Sequence, residues 1–253
     1  MSNQKKLYGV MYCFIAVLWV YSSSFAKEPL IAATCDFEPY FGEKLEKNGP
    51  ITEITVAAFK EAGYDVTVNF FPWARVMKEA KESRFDVLIG VWHNKDREKL
   101  MAFTDPMVDN EIGFYKRKGD SITFTGYQDL KSHRIKVGNV RGYATPKGFD
   151  EAGLNVDLVK DDLTNIKKLV KGRLQLILID KQVGMHLIKI DMPDRMDEIE
   201  WLVTLEAMPL MNGIIKPNKK NWQTILNDFN KGLSILKSKG VVTDILKKHG
   251  FNL

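Results

Sequence analysis

FDVLIGVWHNKDREKLMAFTDP, residues 85–106, strings together a buried strand, a charged helix start and an aromatic-led turn. Residues 85–91 form a short apolar run bounded by charge, the pattern of a strand covered on both faces in a parallel sheet. Asn94 is suited to cap a short helix whose first turn holds Lys95, Asp96 and Arg97. That spacing puts a guanidinium just beyond the carboxyl end of a parallel strand, where open α/β sheets bind their ligands.

Outward from this run the chain alternates strand and helix patterns, which selects layered α/β over all-α or all-β designs. Upstream, residues 30–34 read as a strand. Residues 51–62 read as a helix with Ile54, Ala58 and Phe59 near one face and Gly63 as its stop. In residues 64–71, Val66, Val68 and Phe70 alternate with Asp65, Thr67 and Asn69, as in a strand. Pro72 then opens a helix reaching about residue 83. Downstream, residues 134–140 and 174–179 read as strands, with helices after Thr145-Pro146, after Thr164 and from Lys181. The last helical pair is 221–239 and 241–249. Trp222, Ile225, Phe229, Leu233 and Leu236 make one apolar stripe there, which reads as core.

The N-terminus has a different character. Lys5 and Lys6 precede an apolar stretch from Leu7 to Tyr21, and Ser24-Phe25-Ala26 precedes a switch to charge. This is the layout of a secretory signal peptide cleaved after Ala26, so residues 1–26 are expected to be a leader. Cys13 lacks the preceding residues of a lipid-modified cysteine. Cleavage leaves Cys35 as the one cysteine, so folding must rest on burial rather than on an internal disulfide. A mature chain of about 225 residues is large enough for that. Nothing after Ala26 reads as a membrane span, and no attached sensor or kinase domain is expected. The net charge of +5 includes both leader lysines, so the mature value is about +3. Lysines alternate with acids, as in KEAKESR, which is a solvated helix face and not a nucleic-acid stripe.

The opening run resembles the signature of bacterial extracellular solute-binding proteins of the polar amino acid type, family 3. In that family an Asp-led strand is followed by a T-x-x-R helix start and F-[ST]-[DE]-P. Here those elements are Asp86, Asn94 with Arg97, and Phe103-Thr104-Asp105-Pro106. The resemblance extends to CDFEPYF, GPITEITVAAFKEAG, DLKSHRIKVGNVRGYATP, GRLQLILIDKQVGMHLI and KSKGVVTDILKKHGF, nearly the whole chain after the leader. It implies an α/β, two-lobe periplasmic-binding-protein (Venus flytrap) fold of type II. Lobe 1 would be 27–116 with 208–253, and lobe 2 would be 117–207, joined by crossings near 115–118 and 206–210. The implied role is capture of a small polar solute in the periplasm for an inner-membrane ABC permease or a sensor, by a monomer with no cofactor or metal.

The resemblance also assigns residues. Arg97 would bind a ligand carboxylate, with pairing to Asp96 or Glu98 as the alternative use. Asp180 ends a strand on the opposite lobe and would hold an ammonium, cap the next helix, or both. Phe37 and Trp73 would sandwich the ligand and Trp92 lies beside them, all three being equally suited to a core. Thr145 caps a helix start, but Gly142-Tyr143-Ala144 lacks the family's hydroxyls after the glycine, so Tyr143 would supply a different polar tip. Arg75 either neutralises a ligand acid or pairs with Glu79 at helical spacing. Gly90-Val91-Trp92 replaces a small polar run, a further departure from the amino acid binders.

Catalytic signatures are lacking. There is no G-x-S-x-G, no Walker loop and no H-E-x-x-H, and His93, His133, His186 and His249 are scattered without ligand spacing. The alternative function is a periplasmic dehydratase or lyase of the cyclohexadienyl dehydratase type on the same fold, with Glu38 or Asp180 as the acid.

Overall fold

The computed structural model describes residues 27–217 and 221–251, and the expected leader lies outside the described residues. Strands β1 (Leu30–Thr34), β2 (Val66–Phe70) and β3 (Val87–Val91) run parallel in the order β2-β1-β3, with helices α1 (Pro50–Glu61) and α2 (Trp73–Lys81) as crossovers. The apolar run in residues 85–91 therefore is a parallel strand. Val87, Leu88, Ile89 and Val91 are inaccessible to solvent, because helices cover both faces of such a sheet. The short strand β4 (Met101–Phe103) and the far end of β9 (Ile199–Ile215) complete this sheet in antiparallel fashion.

The second sheet is built on β5 (Val108–Arg117), which pairs antiparallel with both β9 and β8 (Leu176–Asp180). Parallel strands β6 (Lys136–Val140) and β7 (Asn155–Val159) follow, in the order β9-β5-β8-β6-β7. Its helices are α3 (Tyr127–Ser132), α4 (Asp162–Val170) and α5 (Lys181–Asp191). The chain is a two-lobe α/β protein of type II, and the long β5 and β9 carry it between lobes as a continuous antiparallel pair. The expected first crossing at 115–118 is displaced. Ile112 already pairs with Asp180, and Lys116 with Leu176, so the boundary after residue 116 falls inside a strand that has joined the second sheet.

The final helices α6 (Trp222–Ser238) and α7 (Val241–Lys248) return to the first lobe. α6 packs against α1 so closely that a Cβ on Gly232 would lie 2.2 Å from the Ala58 carbonyl oxygen. The Phe59 and Phe229 rings meet at 4.8 Å in the same contact. Ile225, Phe229, Leu233 and Leu236 of the expected stripe are buried. Each contributes about 1.5–3 kcal/mol of transfer free energy.

One expected helix does not form. Residues after Thr145-Pro146 make consecutive turns, with Gly148 at φ 80° and Gly153 at φ 62°, conformations that end a helix before it starts. The Thr145 hydroxyl donates to Asp150 at 2.8 Å in that turn and caps no helix.

Candidate functional site

Four strands deliver their carboxyl ends to the cleft. Cys35 to Phe37 follow β1, Trp92 follows β3, Gly142 and Tyr143 follow β6, and Asp180 ends β8. Trp73 joins them from the start of α2. The loop after β1 folds back so that Phe37 N–H donates to Phe41 at 2.8 Å and their rings stack at 5.4 Å. Gly90 makes this possible. It lies at φ 70°, and a Cβ there would sit 2.3 Å from the Phe41 ring.

The lobes meet through one turn of the second. The Gly142 carbonyl accepts from Trp73 Nε1 at 2.9 Å and from Arg97 Nη2 at 2.9 Å. Gly142 adopts φ 83°, which favours glycine at the turn that aims this carbonyl across the cleft. Tyr143 follows it into a box of three aromatic rings. Its ring meets Phe37 at 6.1 Å, Trp73 at 6.5 Å and Trp92 at 5.7 Å, each edge to face. Such pairs add about 0.5–1.5 kcal/mol each beyond burial. The Tyr143 hydroxyl donates to Asp162 Oδ2 at 3.0 Å. Two further bridges cross the cleft: His186 to Glu38 at 3.0 Å, and the Tyr40 hydroxyl to Asp180 Oδ2 at 3.4 Å.

Arg97 is buried, only 8 % exposed. Asn94 accepts from Asp96 N–H to shape the single turn that carries it. Its guanidinium donates to the carbonyls of Trp92 and Gly142 and lies 5.3 Å over the Trp73 ring. Neither neighbouring acid pairs with it, since Asp96 faces Lys99 and Glu98 faces His93. Burial alone lowers its pKa to about 10, with no carboxylate among the described residues to offset the loss of water. A buried cation held only by neutral carbonyls lacks the counter-charge that would offset its burial.

Asp180 is fully buried and does the capping work weighed for it, its Oδ1 accepting from Val183 N–H at 2.8 Å. Burial raises its carboxyl to about 7, against the lowering effect of those hydrogen bonds. Asp162 had not been singled out. It too is buried and raised to about 7, first by desolvation and then by Asp161, although the Tyr143 hydroxyl opposes the shift. The Cys35 thiol is pushed up to about 12 by burial, with Asp162 and Asp36 adding to it.

Two spaces adjoin these groups. A small one of about 20 Å³ is lined by Arg97, Trp92, Gly90 and Phe41. A larger cleft of about 680 Å³ is lined by Asp36, Glu38, Glu43, Asp161, Asp162 and Asp191, with Lys44 and Lys160 as opposing charges. Cys35, Phe37, Trp73 and Tyr143 form walls of both. The structure thus brings together Phe37, Trp73, Trp92, Arg97 and Tyr143. Asp180 lines neither space and is bonded instead to Val183 N–H and the Tyr40 hydroxyl. Arg75 lies outside, paired with Glu79 at 2.6 Å and stacked 4.1 Å over Phe71. Thr145 is turned to Asp150. Sequence reasoning missed the Gly142 carbonyl and Asp162. A backbone carbonyl carries no residue signature, whereas the Asp161-Asp162 pair at a helix start could have been read as a cap. Among the described residues no group of acids, histidines and cysteine could hold a metal ion, and no helix is long and apolar enough to cross a membrane.

A family model, bacterial extracellular solute-binding proteins, family 3, matches residues 31–252. The L-cystine-binding protein TcyJ of Escherichia coli (strain K12) is 27 % identical over 149 residues, 58 % of this chain and 56 % of that protein. The chain thus spans little more than half the length of the curated relatives it matches. Among solved structures, an ancestral arginine-binding protein bound to arginine superposes with a TM-score of 0.74 at 23 % identity, covering 89 % of this chain and 100 % of that one. A histidine kinase sensor domain similar to periplasmic binding proteins superposes with a TM-score of 0.77 at 21 % identity, covering 89 % and 97 %. At such identities these likenesses speak for the fold. The chain belongs to family 3 of the bacterial extracellular solute-binding proteins.

Proposed function

We propose that this family 3 protein captures a small polar solute, an amino acid or related carboxylate, between its two lobes and delivers it in the periplasm to an ABC importer or a sensor. The observation that carries this reading is Arg97, a buried guanidinium at the carboxyl end of β3 with only two carbonyls as acceptors. A solute carboxylate in place of the Gly142 carbonyl would turn a contact between a cation and a neutral acceptor into an ion pair that the guanidinium fork can make bidentate. Phe37, Trp73 and Trp92 would give the solute apolar faces, and Tyr143 would yield the box or cover it. A solute touching both lobes stabilises only their closed arrangement, and the β5 and β9 crossings absorb the change.

Thermal-shift screening of the mature chain against amino acids, opines, polyamines and dicarboxylates tests this directly. A stabilising solute, confirmed by calorimetry and abolished by Arg97→Ala, supports the reading. Absence of any stabilising solute across the panel sinks it.

The dehydratase reading has one observation in its favour: burial holds Asp162 and Asp180 near 7, suited to proton transfer at neutral pH. Both candidate acids it named are otherwise engaged, Glu38 with His186 and Asp180 with Val183. Recovery of a bound cyclic hydroxy acid unchanged after long incubation decides for binding. Product formation abolished by a carboxylate-to-amide change decides for the enzyme.

A further inference from the structure

Asp162 is 6 % exposed, yet its Oδ1 has no hydrogen-bond partner among the described residues. The other oxygen is held by the Tyr143 hydroxyl, which fixes the plane of the carboxyl group. A buried carboxylate oxygen left unpaired costs on the order of the desolvation of an ion, so its place in the fold calls for a donor. Asp162 lines the larger cleft, whose walls carry more carboxylates than ammonium groups. Such a field favours a cationic donor over a neutral one.

That cleft and the small space beside Arg97 share the walls Cys35, Phe37, Trp73 and Tyr143. A solute anchored at Arg97 and extending past those walls enters the acid-lined region. Its middle passes along aromatic faces, which suit methylene groups.

We propose that Asp162, oriented by the Tyr143 hydroxyl, receives an ammonium or guanidinium group at the far end of a solute whose carboxylate is held by Arg97. The solute class is a carboxylate with an apolar stem and a distal cation. This rests on the solute-binding reading above and adds to it a second recognition point. Burial, which destabilises the ionised Asp162, is what a cation at Oδ1 would offset.

Matched pairs separate the distal charge from everything else: L-arginine against L-citrulline, and L-lysine against L-norleucine, titrated calorimetrically into the mature chain. The charged member of at least one pair is expected to bind at least tenfold more tightly. Asp162→Asn keeps the size and an oxygen acceptor for Tyr143. It is expected to shrink that ratio at least fivefold, chiefly by loss of affinity for the charged member. Tyr143→Phe keeps the ring and removes the orienting hydroxyl, so it should shrink the ratio in the same direction even if Asp162→Asn folds poorly. Equal affinity within both pairs, or a variant that weakens both members alike, overturns the assignment. If citrulline or norleucine binds in an Arg97-dependent way without preference for the cation, the Asp162 assignment alone fails. If no member of either pair binds and no other solute stabilises the chain, the solute-binding reading fails with it.

Discussion

The guanidinium of Arg97 and the carbonyl of Gly142 meet across the cleft at 2.9 Å, so the cation on the first lobe is held by the backbone of the second. The same carbonyl also accepts from Trp73 Nε1, and one peptide group therefore links two first-lobe side chains to the turn that carries Tyr143. Opening the lobes separates all of these contacts together.

Arg97→Ala should lower affinity for a carboxylate solute by about 2–5 kcal/mol, at least thirtyfold, because the solute's charge loses its main partner in a desolvated cleft. Arg97→Lys should restore only part of this, since an ammonium lacks the planar fork that reaches Trp92 and the solute together. Calorimetry with the solute identified by screening reads the difference. Unaltered affinity in a well-folded Arg97→Ala protein would place the carboxylate elsewhere.

Trp73→Phe keeps an aromatic face but removes the N–H that reaches Gly142. A net hydrogen bond is worth about 0.5–1.5 kcal/mol, so the open population should rise by up to about tenfold. Small-angle scattering without added solute should show a larger radius of gyration than for the wild type. An identical scattering curve would mean that this bridge does not hold the lobes.

Stability should fall as pH rises between about 4 and about 7, to the extent set by Asp180. Its carboxyl is raised from 3.8 to about 7 by burial, so across that window the folded chain keeps a proton that the unfolded chain gives up. Asp162 acts in the same sense. Asp180→Asn preserves an acceptor for Val183 N–H and removes the titration. Urea denaturation at pH 5 and pH 8 should therefore show a smaller loss in the variant than in the wild type. An equal loss in both would show that Asp180 is solvated enough to ionise normally.

Gly90→Ala should destabilise the protein by about 1–3 kcal/mol or more. The position has φ 70°, and the added methyl would lie 2.3 Å from a Phe41 ring that is itself only 2 % exposed. Solute affinity should drop too, since Phe41 supports the stacked Phe37 ring. A melting temperature within a degree of the wild type would show that the loop after β1 relaxes freely.

Much of this architecture was legible along the chain. The continuous apolar run at β3, the alternation in β2 and the stripe on α6 each follow from a period that one element imposes on its own residues. Arg97 could be placed because strand, turn and helix start are consecutive, so local geometry alone carries it to a sheet's carboxyl edge. The long strands β5 and β9 were less visible. Each changes neighbours as it passes between lobes, β9 pairing β5 along 199–210 and β3 or β4 along 211–215, and so neither keeps one pattern of burial along its length.

What local pattern determined by itself was the sequence of layers and the set of aromatic and charged side chains available at strand ends. Tertiary structure alone decided which of them meet. Phe37, Trp73, Trp92, Arg97 and Tyr143 converge, while Arg75 stays with Glu79 and Thr145 with Asp150. The physical reason is that the site lies between two lobes. Its contacts join residues dozens of positions apart, as Trp73 and Gly142 are, and depend on a backbone carbonyl and a buried carboxylate oxygen, which no periodicity in the chain can mark.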